Sequence, residues 1–226
     1  MITSTRRASA RWVPFALVAF SLVPVLSGAL RVTGLAGGPS LMPADARIEA
    51  FPLPVITHIA TVIPYSLLGA FQFSSRVRER HPVWHRTAGR VLVPLALGVA
   101  LTGVWMLFAY AEKPGSGSLL VGIRLAVGIA MTASVVLGFA AIRHGDVPRH
   151  RAWMTRAYAL ALGAGTQVFT GAFGPALVGT SVVANDLTMG AAWAINLAVA
   201  EVVIRRGSRR PTRAHARVTA SGEALT

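Results

Sequence analysis

Two short elements of the chain nearly repeat each other: Arg80-His81-Pro82-Val83-Trp84-His85-Arg86 and, about sixty residues later, Arg143-His144-Gly145-Asp146-Val147-Pro148-Arg149-His150-Arg151. Together they hold four of the six histidines. An imidazole can take up a proton or ligate a metal, and a guanidinium forks onto carboxylate or phosphate. Pro82 and Pro148 suit the first turn of a helix, where a missing N–H costs nothing, so His85 and His150 fall in first turns. Asp146 is placed to cap the second of these helices. Helix starts carry unpaired N–H groups and the positive end of the dipole, to which Arg86 and Arg151 add full charge.

Two such starts on one face would form an anion site. Three ligands fit: a lipid headgroup phosphate, a soluble carboxylate or phosphate, or the propionates of a single haem b whose iron is held by His85 and His150. The simpler reading is that the arginines set membrane topology and the histidines hydrogen-bond to headgroups.

Four further polar residues fall inside apolar stretches, where each is costly and a functional candidate by default: His58, Arg124, Gln167 and Glu201. A carrier would pass its substrate along His58, Arg124 and Gln167 through an aqueous cavity reaching mid-membrane. Structural roles compete with this: Arg124 can snorkel outward, Glu201 can pair with Arg205 one turn on, and Gln167 can bond a neighbouring helix. His58 sits about 22 Å from the far end of its span, too distant to share a haem with His85 or His150.

The absence of cysteine excludes disulfides and thiolate chemistry. His81, His85, His144 and His150 match no zinc spacing, so no metal site is expected. The chain has no phosphate loop, Ser-His-Asp context or HExxH helix, and no enzyme activity of its own is indicated.

The elements that must position these residues are membrane spans. A hydrophobic content of 54%, a charged content of 13% and a mean hydropathy of +0.58 do not describe a soluble domain of this size. Six apolar stretches approach the 20 or so residues that a bilayer core requires: 12–30, 55–73, 90–109, 119–142, 153–173 and 187–204. The expected fold is all-α, a polytopic bundle of six transmembrane helices.

The net charge of +14 is distributed between these spans rather than along a nucleic-acid face, so the bilayer and its anionic headgroups are the expected partners, not nucleic acid. Seventeen arginines fall on one side, in residues 1–11, 74–90, 143–151 and the tail; Arg156 lies just inside the fifth span. The other side has Arg31, Arg47 and Lys113. The positive-inside rule then puts both termini in the cytoplasm of a bacterial cell, with the protein in the inner membrane.

Residues 1–11 read as a basic N-terminus, 12–204 as the membrane domain and 205–226 as a basic, disordered tail. The first span reads as a retained helix, with a secretory signal as the alternative, since Ser27, Gly28 and Ala29 follow it. Small residues at four-residue spacing, Gly122, Ala126, Ala130, Ser134 and Gly138, mark a contact stripe on the fourth span. Gly163 and Gly171, with Gln167 between them, mark another on the fifth.

The order of several segments resembles an uncharacterised family of bacterial multi-pass membrane proteins, domain of unknown function 2306. The resemblance rests on His58, then Leu68-Gly69-Ala70-Phe71-Gln72-Phe73, then His85-Arg86-Thr87-Ala88-Gly89-Arg90, then His150-Arg151-Ala152-Trp153-Met154-Thr155-Arg156-Ala157-Tyr158. It covers residues 56–170. Ala70 and Leu92 depart from it where several members have proline and tyrosine. The resemblance implies a membrane fold and a site set of His58, Gln72, His85, Arg86, Arg90, His150, Arg151 and Arg156, without implying a reaction.

Overall fold

A computed structural model describes residues 12–208, which form helices joined by short loops, with no strand among them. The basic N-terminus and the tail beyond Ser208 lie outside the described residues. The helices are α1 (Val13–Leu35), α2 (Ala46–Ala50), α3 (Leu53–Gln72), α4 (Ser75–Arg80), α5 (Pro82–Ala109), α6 (Ser118–Arg143), α7 (Val147–Ala161), α8 (Gly163–Val178) and α9 (Val182–Ser208).

Five of these, α1, α3, α5, α6 and α9, are long and apolar enough to cross a membrane. The stretch read as a fifth continuous span is instead two helices, α7 and α8, interrupted at Leu162. The last helix also begins earlier than expected and continues past Ile204 through Arg205 and Arg206.

The interruption at Leu162 is held from outside. Asn196 of α9 donates its amide N–H to the Ala159 carbonyl (3.0 Å) and accepts the Thr166 hydroxyl (2.7 Å), so one side chain bridges the end of α7 and the start of α8. Backbone groups at such a break need a partner because lipid offers none. Gly163 lies against the Trp193 indole, where no Cβ would fit. Gln167 donates to the Met189 carbonyl (3.3 Å) and Gly171 faces the Met189 side chain, so the stripe read from the fifth span does meet a neighbour, and that neighbour is α9.

The stripe on α6 follows a different line from the one the spacing suggests. Ser134 and Gly138 are buried, but Gly122, Ala126 and Ala130 are exposed; the buried positions are Leu120, Gly128, Met131, Ser134, Val135, Gly138 and Ala141. At about 100° per residue, each four-residue step drifts about 40° around the helix, so a strict i+4 row leaves the contact face within a few turns. From Gly128 onward the observed row mixes three- and four-residue steps. Gly128 accommodates Val104 of α5, and Gly138 accommodates Met154 of α7.

At the centre, Tyr158 of α7 lies over Gly69 of α3, with its hydroxyl donating to the Ser66 carbonyl (2.7 Å) and its ring 4.9 Å from that of Phe73. Tyr65, Ala70, Leu92, Ala96, Met131, Val135 and Ala157 complete the core around it.

An alanine Cβ at Gly69 would stand 2.7 Å from Tyr158 Cε2, whereas one at Gly122 would meet nothing within 4 Å. Gly69→Ala should destabilise by about 1–3 kcal/mol, the usual cost of overpacking, and Gly122→Ala should be close to neutral or slightly stabilising. Denaturant unfolding of the purified protein in detergent would measure both.

Candidate functional site

Polar residues gather at the two ends of the bundle. At the end where the arginines collect, α5 starts at Pro82 and α7 has Pro148 in its first turn, which puts His85 and His150 in first turns as the prolines indicate. The Asp146 carboxylate accepts the Arg149 N–H (3.0 Å), the cap its position suggested. His150 reaches across to α6, its Nδ1–H donating to the Gly138 carbonyl (2.8 Å), and this leaves Nε2 as the acceptor of the neutral ring. The carbonyl is approachable because Gly138 lacks a side chain.

His85 lies within electrostatic reach of His150, Arg78 and Arg86, so the two repeated elements share one end of the bundle. Both α5 and α7 pack against α3 and α6. Two atoms here are buried without a hydrogen-bond partner, His85 Nδ1 and Gln72 Nε2. Arg78, on the short α4, is held below its ordinary range, first by burial and then by the charge of Arg151, with Glu79 opposing.

The remaining residues of this set separate. Arg86, Arg90 and Arg151 are exposed. Arg156 is engaged with the fold, forking onto Glu201 (2.6 and 3.1 Å) with its guanidinium 4.6 Å from the Trp153 ring centre. The partner suggested for Glu201 was Arg205; the bidentate partner is Arg156, a helix away, while Arg205 acts on the same carboxylate electrostatically. Helical spacing can propose only intrahelical pairs, so this one was not legible.

At the opposite end, a cavity of about 500 Å³ opens between α1, α3, α5, α6 and α8. Its mouth has Arg47, Glu112 and Lys113; its walls include His58 and Arg124; its deepest part reaches Ser66, Gln167, Trp193 and the interruption at Leu162. A second cavity of about 440 Å³ adjoins it, and Lys113, Ser116, Leu120 and Arg124 line both.

The His58 ring is oriented by α5. Thr102 has one hydroxyl proton and directs it to its own helix, at the Gly98 carbonyl. It therefore accepts from His58 Nδ1–H (2.9 Å), with the Val99 carbonyl also against the ring, and this leaves Nε2 as the acceptor nitrogen of a side chain that lines the cavity.

Asp186, which the composition of the last span did not single out, is 1% exposed and accepts the N–H groups of Gly117 (3.0 Å) and Leu120 (3.1 Å), capping α6 from α9. Beside it, Asn185 donates to the Gly115 carbonyl (3.0 Å). The sequence offered only a local role, an acid directly before the apolar stretch at 187–204; α9 starts at Val182 instead, which puts Asp186 inside it. Asp186 also acts electrostatically on Arg124. Arg47 is bound to Asp45 (2.7 Å) and to the Ala111 carbonyl (2.7 Å). Asp45 also receives the Arg47 N–H at the start of α2, and these bonds, the side-chain one foremost, hold its carboxyl below the usual range.

The helices, long and apolar enough in five cases to cross a membrane, define a polytopic helical membrane protein. Residues 55–204 match the family described as "Predicted membrane protein (DUF2306)", and the chain belongs to that family. The match extends past the resembling segments to include α9, which supplies Asn196, Asp186 and Glu201. No curated protein and no solved structure matches the chain.

Asp186→Ala removes a cap on which two N–H groups depend and should cost about 1–2 kcal/mol of stability. The same unfolding measurement reads it, and hydrogen exchange at residues 117–120 should rise more than elsewhere in α6.

Proposed function

We propose that this protein is a carrier of a small organic solute, which it binds in the His58–Arg124–Gln167 cavity. The observation that carries the reading is the cavity itself: it runs from the end opposite the arginine clusters to the interruption of α7 and α8, and these three side chains line it. Membrane carriers place sites near the bilayer middle, where helices are discontinuous. The volume is in the range of small-molecule pockets, and the lining is apolar with a few polar groups. No turnover is needed for such a role.

In this reading the protein lies in a bacterial inner membrane with its basic end and both termini in the cytoplasm, and α7 and α8 cross in series as a sixth span. Arg86, Arg90 and Arg151 face anionic headgroups. The cavity mouth then opens away from the cytoplasm.

Because the chain has no cysteine, an introduced thiol is unique. Val62→Cys, on the cavity wall, should react with a membrane-impermeant maleimide added to intact spheroplasts, and saturating solute should protect it. A thiol that reacts only after unfolding would remove the aqueous cavity and the carrier with it.

A second reading has its own observation. His150 Nδ1 is bonded to a backbone carbonyl, the arrangement that aims the other ring nitrogen of a metal-ligating histidine, and His85 lies nearby with an unpartnered Nδ1. Haem b held by His85 and His150, at the basic end, would give a Soret band after haem-replete expression, reduced by His150→Ala. A spectrum without that band would eliminate this reading.

A further inference from the structure

We infer that the solute is an anion, a carboxylate or phosphate monoester on a short apolar body, and that it enters the cavity together with one proton, which binds His58 Nε2. This deepens the carrier reading and rests on the cavity being the ligand site.

The charge argument starts from which groups face the space. The cations lining the cavity are Arg47, Lys113 and Arg124, against one acid, Glu112. Asp45 pairs with Arg47 and Glu112 offsets one further charge, while Asp186, although near Arg124, has its oxygens on the Gly117 and Leu120 N–H groups, so one cation is left over. Arg124 is the exceptional group. It lies six residues into α6, about 9 Å below the helix start, and has five N–H donors but no hydrogen bond among the described residues. The side chain is exposed, lies within reach of the Asp186 charge and borders both cavities, where its donors are open to an anion.

The proton argument comes from the fixed ring of His58. It lies five residues into α3, about 8 Å below the helix start and at a depth similar to that of Arg124. With Nδ1–H committed to Thr102, the neutral ring offers the cavity a lone pair, and a proton added at Nε2 turns it into a second donor for the same anion. For a carboxylic acid the step is balanced: the acid O–H breaks, the Nε2–H bond forms and no electron moves. The bound pair, anion plus imidazolium, adds no net charge to the apolar interior, which lowers the cost of moving it.

The titratable or charged groups lining this space with His58 are Arg47 from α2, Tyr110 from α5, Glu112 and Lys113 from the α5–α6 loop, and Arg124 from α6; α1 and α8 contribute none. Tyr110 is engaged, its hydroxyl donating to the Phe51 carbonyl. Below His58 and Arg124 the walls are mainly apolar, with Val62, Val99, Val127, Met131 and Leu160 available to an alkyl body and Ser66 and Gln167 at the deep end.

The test uses the full-length protein in phosphatidylcholine nanodiscs, with protein-free discs as background and radiolabelled octanoate, octyl phosphate and octanol as probes. Proton uptake is followed with an indicator dye in weak buffer near neutral pH. Saturable binding of octanoate or octyl phosphate is expected, and octanoate should bring about one proton per molecule bound. Arg124→Gln should weaken anion binding by tenfold or more with octanol unaffected, and His58→Gln should bring proton uptake per bound octanoate to near zero. Competition by phosphatidic acid in the discs would identify a bilayer lipid as the source of the anion, and its failure to compete a soluble one.

Anion binding unchanged in Arg124→Gln, or proton uptake that is absent in the wild type or persists in His58→Gln, would overturn the proposal. Failure of the carrier reading looks different. Val62→Cys blocked after folding with a bulky maleimide should exclude octanol and octanoate alike; if neither probe binds the unblocked protein, or both still bind the blocked one, the cavity is not the ligand site.

Discussion

The packing of Tyr158 over Gly69 is the joint on which the arrangement of helices depends. In lipid, apolar surface gives helices no reason to prefer one another over acyl chains, so association comes from close backbone approach and from hydrogen bonds that lipid cannot replace. This contact provides both: a missing Cβ lets the ring lie on α3, and the phenol hydroxyl finds the Ser66 carbonyl. Ala70 and Ala157 are fully buried beside it. Two segments of the family resemblance, Leu68 to Phe73 and His150 to Tyr158, meet here, so part of that resemblance describes a helix joint rather than a ligand site.

From that joint the two ends of the bundle acquire different characters. Towards the basic end His150 is bonded to Gly138 and Arg156 forks onto Glu201, so these two polar side chains serve the packing. The other end holds the two cavities. There Asn185 and Asp186 hold the α5–α6 loop to α9, and α1, lightly packed, closes one side of the cavity through Ser21, Pro24, Val25 and Gly28. The same chemistry, an imidazole with one nitrogen committed, thus occurs at both ends in different settings: His150 at a packed interface and His58 on a cavity wall.

The helix starts at Pro82 and Pro148, the Asp146 cap and five of the long apolar helices were legible because each depends on residues within one or two turns of sequence. The stripe on α8 was legible too, since Gly163, Gln167 and Gly171 lie within nine residues. The α6 row drifted off its face because small helical offsets accumulate over sixteen residues. The interruption at Leu162 was illegible: Leu160, Ala161 and Leu162 are unremarkable helix formers, and what holds the break is Asn196, more than thirty residues on. The role of Asp186 was illegible for the same reason, since its partners Gly117 and Leu120 lie almost seventy residues away.

By itself, then, the sequence determined a helical membrane protein, the ends of most helices and the clustering of arginines, because hydropathy, proline and capping act locally. It also named His58, Arg124 and Gln167 as residues out of place in an apolar stretch. That these three line one cavity, that the His58 tautomer is set by Thr102, and that Arg156 rather than Arg205 takes Glu201 were decided by tertiary structure. Each depends on which helix faces which, and in a bilayer that choice is made by shape and by a few interhelical hydrogen bonds rather than by hydropathy, which makes every span look alike.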